Sequence, residues 1–504
     1  MKKVVFYFLF LFLIMPGLPA QQLTSLPTLY ITTESGARIA DGVNWIPGKV
    51  IVESSDSSEN LSATMTIRGR GNSTWRLAKK PYRIKLNQKT NFLNLPAHEK
   101  DWVLLANHAD KTLIRNALAF KISSLLGFEF TPAVRFVDVV LNTNFIGNYM
   151  VTDQIERGKL RVDIDKLDST DLEEPAVSGG YLVEIDGFAT SEPVWFSSSK
   201  SVPVTVKYPD DKDITPEQFK YIRNFTNRFE SRLFADDFTD PHTGYKSMVD
   251  TTSLINWYLA SELTGNPDYL WSTYLYKRRA EDKFYFGPLW DFDIAFNNDH
   301  RLGDAVNLLM RNHAFNPRQW MNRFWEDEWF RNAAYLRWQE LVDNGLQDSL
   351  VNYIQETTTL INASQQLNFN RWKVLNQRVY NEPFLFPTYQ QGVEFLSAYV
   401  SQRIAFLTTS LAKTQTIHTA LDEGIMAESF AVYPNPVSDK LYIDNKGSEE
   451  KAISIYSMDG RLVFTSRVAA SDRSIVDCKS LQLRSGIYLV KVGASVQKIS
   501  VTNE

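Results

Sequence analysis

The texture of this chain changes near Thr215, and that change limits the folds open to it. From Leu26 to about Asp165, apolar and polar residues alternate in short runs, the period of half-buried strands. Residues 29–33 and 49–53 are rich in β-branched side chains, and residues 63–68 and 82–86 alternate clearly. A helix over 110–126 interrupts them, with Leu113, Ala117, Phe120 and Leu125 on one stripe. Strand character returns at 135–141 and 149–154, joined by a hairpin through Asn142-Thr143-Asn144, and Gly179-Gly180 opens a strand at 181–185. Beyond Thr215 the period is helical. Thr215 predicts an N-cap and Pro216 a first helical position for a helix over 216–234. Further helices are predicted over 250–263, 318–341 and 390–411. Strands first and helices after is an α+β arrangement. It predicts two lobes, with a ligand cleft between them, over residues 26–411.

Residues 412–428 are polar and unpatterned, and read as a linker. From Ser429 to the end, residues 429–504, short strand-like runs alternate with turns such as Asn435-Pro436, Asn445-Lys446-Gly447 and Asp459-Gly460. That spacing predicts a small all-β sandwich.

Residues 1–20 carry Lys2 and Lys3, then an apolar run from Val4 to Met15, then Pro16-Gly17-Leu18-Pro19-Ala20. This is the pattern of a signal peptide cut after Ala20. The apolar run is too short to span a bilayer, which takes ~20 residues. No transmembrane span is expected after cleavage. One cysteine, Cys478, excludes an internal disulfide and a Cys-rich zinc site, and only six His make a His-built metal site improbable on composition. The formal net charge of −4 argues against a nucleic-acid partner.

Three motifs could carry chemistry. Arg68-Gly69-Arg70-Gly71-Asn72-Ser73-Thr74-Trp75 joins glycines to cationic side chains, a combination suited to an anion, although a solvated surface hairpin would read the same way. It is followed by Lys79-Lys80-Pro81-Tyr82-Arg83-Ile84-Lys85-Leu86, where period two aims Arg83 and Lys85 to one side. Trp290-Asp291-Phe292-Asp293 sets two carboxylates in an aromatic frame; on an extended segment they share a face and offer hard oxygens suited to Mg²⁺ or Mn²⁺. Pairing with buried Arg or a helix N-terminus is the other reading. Gly265-Asn266-Pro267-Asp268 places an Asp just after a helix, as a base for a hydroxyl or as a plain Asx turn.

Together these motifs, with Asp110–Asn116, Gly147-Asn148-Tyr149 and Gly179–Asp186, resemble the CotH kinase family of atypical protein-kinase-like proteins. The resemblance implies a two-lobed kinase-like fold, with ATP and Mg²⁺ or Mn²⁺ used to phosphorylate an exported protein substrate. It implies that Lys85 pairs with ATP phosphates, that Asp268 is the catalytic Asp, and that Asp291 binds metal with Asp293 beside it. Arg68 and Arg70 would serve the phosphates, and Glu184 the adenine side. Two positions depart from the family pattern. Asp153 stands where Glu is usual, and Ser272 and Thr273 stand where an Asn metal ligand is usual. A non-catalytic surface scaffold or adhesion protein that keeps the fold is the alternative. Sugar binding is suggested only by the 13% aromatic content, and Trp320, Phe324, Trp329 and Trp338 fall on helical stripes.

The end of the chain carries Tyr433-Pro434-Asn435-Pro436, Ile455–Arg461 and Ser485–Val492. These resemble the type A sorting domain of type IX secretion. The resemblance implies contact with the type IX secretion machinery and delivery to the outer cell surface or the medium.

Overall fold

The computed structural model describes residues 21–313, 318–414, 430–447, 449–457, 461–493 and 495–502. The signal peptide expected at 1–20, and all of the expected linker except residues 412–414, lie outside the described residues. The described residues fall into two compact units that part between Gln415 and Thr416.

In the first unit, alternation does what period two demands. The strands β1 (Thr28–Thr33), β2 (Ile46–Glu53), β3 (Leu61–Gly69), β4 (Tyr82–Asn91), β5 (His98–Leu105), β6 (Arg135–Leu141) and β7 (Asn144–Asp153) form one sheet. Their inward residues, among them Val50, Ile67, Ile84, Trp102, Val139 and Val151, are buried in a common core. The sheet order is β1-β2-β3-β4-β5-β7-β6, and it closes because β6 pairs in parallel with β1, Thr28 opposite Asp138 and Ile31 opposite Leu141.

This closure corrects the fold expected from the sequence. The strand-rich half is a closed seven-stranded barrel, not the upper lobe of a two-lobed kinase-like fold. Each strand is a local signal, whereas closure is a pairing between strands far apart in the chain. Closing the sheet pairs both outer strands and leaves no open edge.

The helix α1 (Arg115–Leu126) leaves β5 and precedes the β6–β7 hairpin. A second sheet follows, in the order β12-β11-β8-β10-β9, from β8 (Tyr181–Ile185), β9 (Trp195–Ser197), β10 (Pro203–Tyr208), β11 (Thr273–Lys277) and β12 (Phe284–Phe286). The helix α2 (Pro216–Leu233) begins at a capping box: Thr215 accepts from the Gln218 backbone N–H, and Gln218 reaches back to Thr215. The helix α3 (Thr251–Thr264) is capped by Asp250 and ends at Gly265, whose φ of +58° is the left-handed stop a glycine allows. A Cβ on Gly265 would also meet the Tyr399 hydroxyl at 2.3 Å, so this turn admits no larger residue without displacement.

The later helices are α4 (Met310–His313), α5 (Gln319–Glu326), α6 (Glu328–Asp343), α7 (Leu346–Leu360), α8 (Asn362–Arg371) and α9 (Tyr389–Ala412). The helix predicted over 318–341 is two helices, because Asp327 ends α5 and caps α6 by accepting from the Trp329 N–H at 3.0 Å. Trp320, Phe324 and Trp338 are buried in the core, whereas Trp329 of the same stripe is exposed. No helix among the described residues is long and apolar enough to cross a membrane.

The second unit has two sheets around one core. One is β13 (Phe430–Tyr433), β14 (Lys440–Asn445) and β17 (Arg473–Asp477), in the order β13-β14-β17. The other runs β16-β15-β18-β19, from β15 (Lys451–Ser457), β16 (Leu462–Val468), β18 (Gly486–Val492) and β19 (Ser495–Val501). Leu441, Ile443, Ile453, Ile455, Val490 and Ile499 are buried between them. Asn435 of the Tyr-Pro-Asn-Pro motif ties the chain to β19, donating to the Lys498 carbonyl at 3.0 Å and accepting from the Ser500 N–H at 2.8 Å. Part of the Ile455–Arg461 motif, residues 458–460, lies outside the described residues.

Candidate active site

A cleft of about 1020 Å³ lies in the first unit. One wall is the barrel: the loop from Arg68 to Thr74, Arg83, and residues 105–109. The other wall comes from the second sheet and its connections: Glu184, Asp186, Lys207, Asp268, Ser272, Trp290, Asp291 and Asp293.

The carboxylates reach the cleft on turns rather than on a strand. Asp291 has φ of 69° and Ser272 has φ of 54°, left-handed conformations that cost a non-glycine residue energy and tend to concentrate at functional sites. Residues 291–293 are therefore not the extended segment the sequence suggested, although both Asp291 and Asp293 line the same cavity. The turn is pinned from outside. The Phe292 N–H, between the two aspartates, donates to Asn116 Oδ1 at 2.8 Å, and Asn298 donates to the Asp293 carbonyl at 2.8 Å. Asn116 is itself set by the Asp110–Arg115 lock, in which Asp110 accepts from the Arg115 and Thr112 backbone N–H groups at 2.8 and 2.9 Å. The motif Asp110–Asn116 thus positions the turn that carries Asp291 and Asp293, a role the sequence did not disclose.

Charge is concentrated here. The Asp291 side chain opens to the solvent of the cleft, yet protein surrounds it. Burial raises its pKa, while Arg70 and a hydrogen bond from Ser272 at 3.2 Å pull it back. Arg70 also lies over the Trp290 ring, 5.4 Å from its centroid. Burial first, and then the charge of Asp291, push Asp293 up to about 8. Burial and Asp291 likewise push Asp268 up to about 6, with Arg301 opposing. Among the described residues, no group of three or more His, Cys, Asp or Glu side chains could hold a metal ion by itself. Two carboxylates and a hydroxyl still suit Mg²⁺, which keeps several waters and takes phosphate oxygens as further ligands. The donor set therefore fits an ion that arrives with a phosphate.

The like charges carry an expected signature. A carboxyl whose pKa is higher folded than unfolded takes up a proton on folding. Its cost is absent below the unfolded value of ~3.9, grows as pH rises from there towards the folded value, and levels off above it. Asp293→Asn is therefore expected to stabilise the ligand-free protein by ~1 kcal/mol at pH 8, allowing for solvent in the cleft, and to change nothing near pH 4. Melting at both pH values checks this. An equal shift at both would mean that the charge of Asp293 is not the cause.

The other predicted site residues divide. Arg68 lines the cleft, donating to the Gly42 carbonyl at 2.8 Å and covering the Trp45 ring at 4.7 Å. Glu184 lines it too, and burial raises its pKa to about 7 against the pull of Lys207, whose Nζ is 3.1 Å away. Lys85 does not line it: its half-exposed ammonium pairs with Asp101 at 3.2 Å. Asp153 is buried and outside the cleft, salt-bridged to Arg161 at 2.8 Å and accepting from the Ala133 N–H at 2.9 Å. Thr273 turns its hydroxyl to the Tyr269 carbonyl at 3.3 Å, so of the two hydroxyls only Ser272 bonds to Asp291. Sequence reasoning missed Lys207, which sits in the strand run Val204-Thr205-Val206-Lys207-Tyr208 with no local signature beyond being the one cation there.

Two sequence families match this chain. The one described as secretion system C-terminal sorting domain covers residues 431–502. The chain is accordingly cargo of type IX secretion, bound for the cell surface or beyond it and met on the way by that machinery. No curated protein matches the chain. The family described as CotH kinase protein covers residues 67–407, from the Arg/Gly loop through the Asp268 and Asp291 turns into α9. That span is well over half of the sequence, and the chain belongs to the CotH kinase protein family.

Proposed function

We propose that this exported protein is an ATP-dependent phosphotransferase that moves the γ-phosphoryl group of ATP to Ser or Thr hydroxyls of secreted or surface proteins. The observation that carries the reading is the meeting of Asp268, Asp291 and Asp293 with Arg70 and the Lys207–Glu184 pair on one cleft. Phosphoryl transfer asks for little else: positioning, charge neutralisation and an oriented nucleophile. Asp291 and Asp293 would hold Mg²⁺ or Mn²⁺, which when bound neutralises phosphate charge. Arg70, Arg68 and Lys207 face the phosphates. Asp268 receives the proton of the acceptor hydroxyl as its oxygen bonds to the γ-phosphorus. The bond to the bridging oxygen breaks, and ADP leaves with that electron pair.

The test is thermal melting of residues 21–428 with ATP, with Mg²⁺ or Mn²⁺, and with both. A ligand that binds only the folded state stabilises it by ~2.7 kcal/mol at a hundredfold excess over Kd. ATP with metal is expected to raise the midpoint of the wild type and not that of Asp291→Ala. If neither ligand moves the wild-type midpoint, the protein keeps its fold for scaffolding or adhesion. The placement of Lys85 outside the cleft favours that second reading.

The phosphate-facing lysine can be told apart in the same assay. Lys207→Met is expected to weaken ATP–metal binding by ~10-fold or more, the weight of a charge-assisted contact, and Lys85→Met to leave it unchanged. The reverse result would return the role to Lys85.

A further inference from the structure

We propose that Phe188 and Trp271, with Val43 on the barrel side, form the acceptor subsite of the cleft: they select a Ser or Thr that has a large apolar side chain beside it in the substrate chain. The inference rests on the phosphotransferase reading above and names the kind of acceptor which that reading leaves open.

Much of the cleft lining is charged or polar, as phosphate and metal require. Three of its apolar side chains nevertheless reach water: Val43 is 75% exposed, Phe188 is 50% exposed and Trp271 is half-buried. A lone exposed apolar residue is ordinary, whereas several along one cleft mark a surface that something covers.

Phe188 is held out in the solvent by the turn that carries it. Its N–H donates to Asp186 Oδ1 at 2.7 Å, and its carbonyl accepts from the Ser191 N–H and hydroxyl, both at 2.8 Å. Asp186 is fixed in turn by the Thr205 hydroxyl at 3.1 Å, and Ala189, next along the chain, is buried. An aromatic ring on a turn tied at so many points has little freedom to lose when a ligand covers it.

Trp271 joins this surface to the chemistry. Its N–H donates to the Asp268 carbonyl at 2.7 Å, so it closes the turn that carries Asp268. Its indole rests over Gly187: a Cβ there would lie 3.4 Å from Cδ2 and 3.5 Å from Cε2, in ordinary contact. One ring therefore links the Asp268 turn to the Phe188 turn. Val43 is tied to the Arg/Gly loop in a similar way. Its N–H donates to Asp41 Oδ1 at 2.9 Å, and the Asp41 carbonyl accepts from the Gly69 N–H at 2.8 Å. A substrate chain that offers its hydroxyl to Asp268 thus brings its flanking residues past Trp271 and Phe188.

The experiment measures transfer of labelled phosphate from ATP–Mg²⁺ by the full chain. The acceptors are peptides with one Ser in a Gly-Gln background, flanked on both sides by Leu, Phe, Ala, Lys or Asp, with casein as a general acceptor. The Leu and Phe peptides are expected to exceed the Ala peptide ~10-fold in kcat/KM, the weight of one apolar side chain taken out of water. Phe188→Ala and Trp271→Ala should each cut that ratio by about threefold or more, with the ATP–Mg²⁺ melting shift kept. Phe188→Leu, still apolar, should keep most of the preference. Phe188→Ala removes a ring that is already half in water, so it decides the matter even where Trp271→Ala fails to fold. A wild type that phosphorylates casein but shows no preference among the peptides overturns the proposal, as does a preference for the Lys or Asp peptide. So does a Phe188→Ala ratio equal to that of the wild type, or a raised KM for ATP with the peptide ratio intact, which would make these rings a seat for the nucleotide base. A wild type that binds ATP–Mg²⁺ but transfers to neither casein nor peptide ends the phosphotransferase reading itself, and the acceptor subsite with it. That outcome is read from the wild type alone.

Discussion

Asp268→Asn is expected to slow phosphate transfer by ~10²- to 10⁴-fold, the range a positioned general base contributes, while ATP with metal still stabilises the folded protein. The two halves of that result separate chemistry from binding. Asp268 stands on the turn after α3, near Arg301, whereas Asp291 lies against Ser272 and Arg70. On the proposed reading, losing the first removes the proton acceptor, and losing the second removes the phosphate-side ligand. With the Asp268 carboxyl pushed up to about 6, the wild-type rate should also fall as pH drops below that value, because a protonated acid accepts nothing. A variant within tenfold of the wild-type rate would take Asp268 out of the chemistry.

Arg403→Met should destabilise the first unit by ~3–5 kcal/mol, the cost of stranding a buried charge. Arg403 and Glu262 are both fully buried and 3.2 Å apart. The guanidinium also donates to the carbonyls of Glu262, Ala305, Val306 and Leu308 at 2.8, 2.9, 2.9 and 2.6 Å, and Glu262 accepts from the Met310 and Arg311 N–H groups. One side chain of α9 therefore holds the end of α3 and the loop after the Asp291 turn. Removing it leaves a carboxylate and four carbonyls with too few donors. The stranded carboxyl will take up a proton, so the deficit should be smaller at pH 5 than at pH 8. Glu262→Leu in the Arg403→Met background should win back part of the loss, since a matched apolar pair leaves no charge behind. Denaturant unfolding measures all three. A loss below ~1 kcal/mol would mean that water or Arg311 takes over the pairing.

What the sequence disclosed was whatever is local. The N-cap at Thr215 and the helix start at Pro216 could be read as letters, and α2 begins at Pro216 as they require. The alternation in β4 put Tyr82, Ile84 and Leu86 inside, and all three are buried. The Arg/Gly loop, Asp268 and the Asp291–Asp293 pair could be singled out because each is an odd combination that plain core or surface does not call for, and one cleft takes them all. What stayed hidden depends on partners far along the chain. Nothing near Thr28 announces that it will lie beside Asp138, so the barrel could not be foreseen. Lys85 and Asp153 looked available for a site, but Asp101 and Arg161 hold them elsewhere. Lys207 looked like any strand lysine until β10 was laid against β8 and brought it to Glu184. The helix over 318–341 split for a different reason: an Asp in the middle of an aromatic stripe serves better as a cap than as a link.

The parallel pairing of β1 with β6 also sets an order of events. A chain is made from its N-terminus, so β1 exists first. It can find β2 at once, but its other neighbour comes only after β3, β4, β5 and α1 have all followed. Until Asp138 has followed, one side of β1 is an unpaired strand edge, and the long loop that must close to cover it makes this a slow step. The barrel is thus a clasp that shuts late. The cleft, one wall of which is the barrel, cannot exist before the clasp closes.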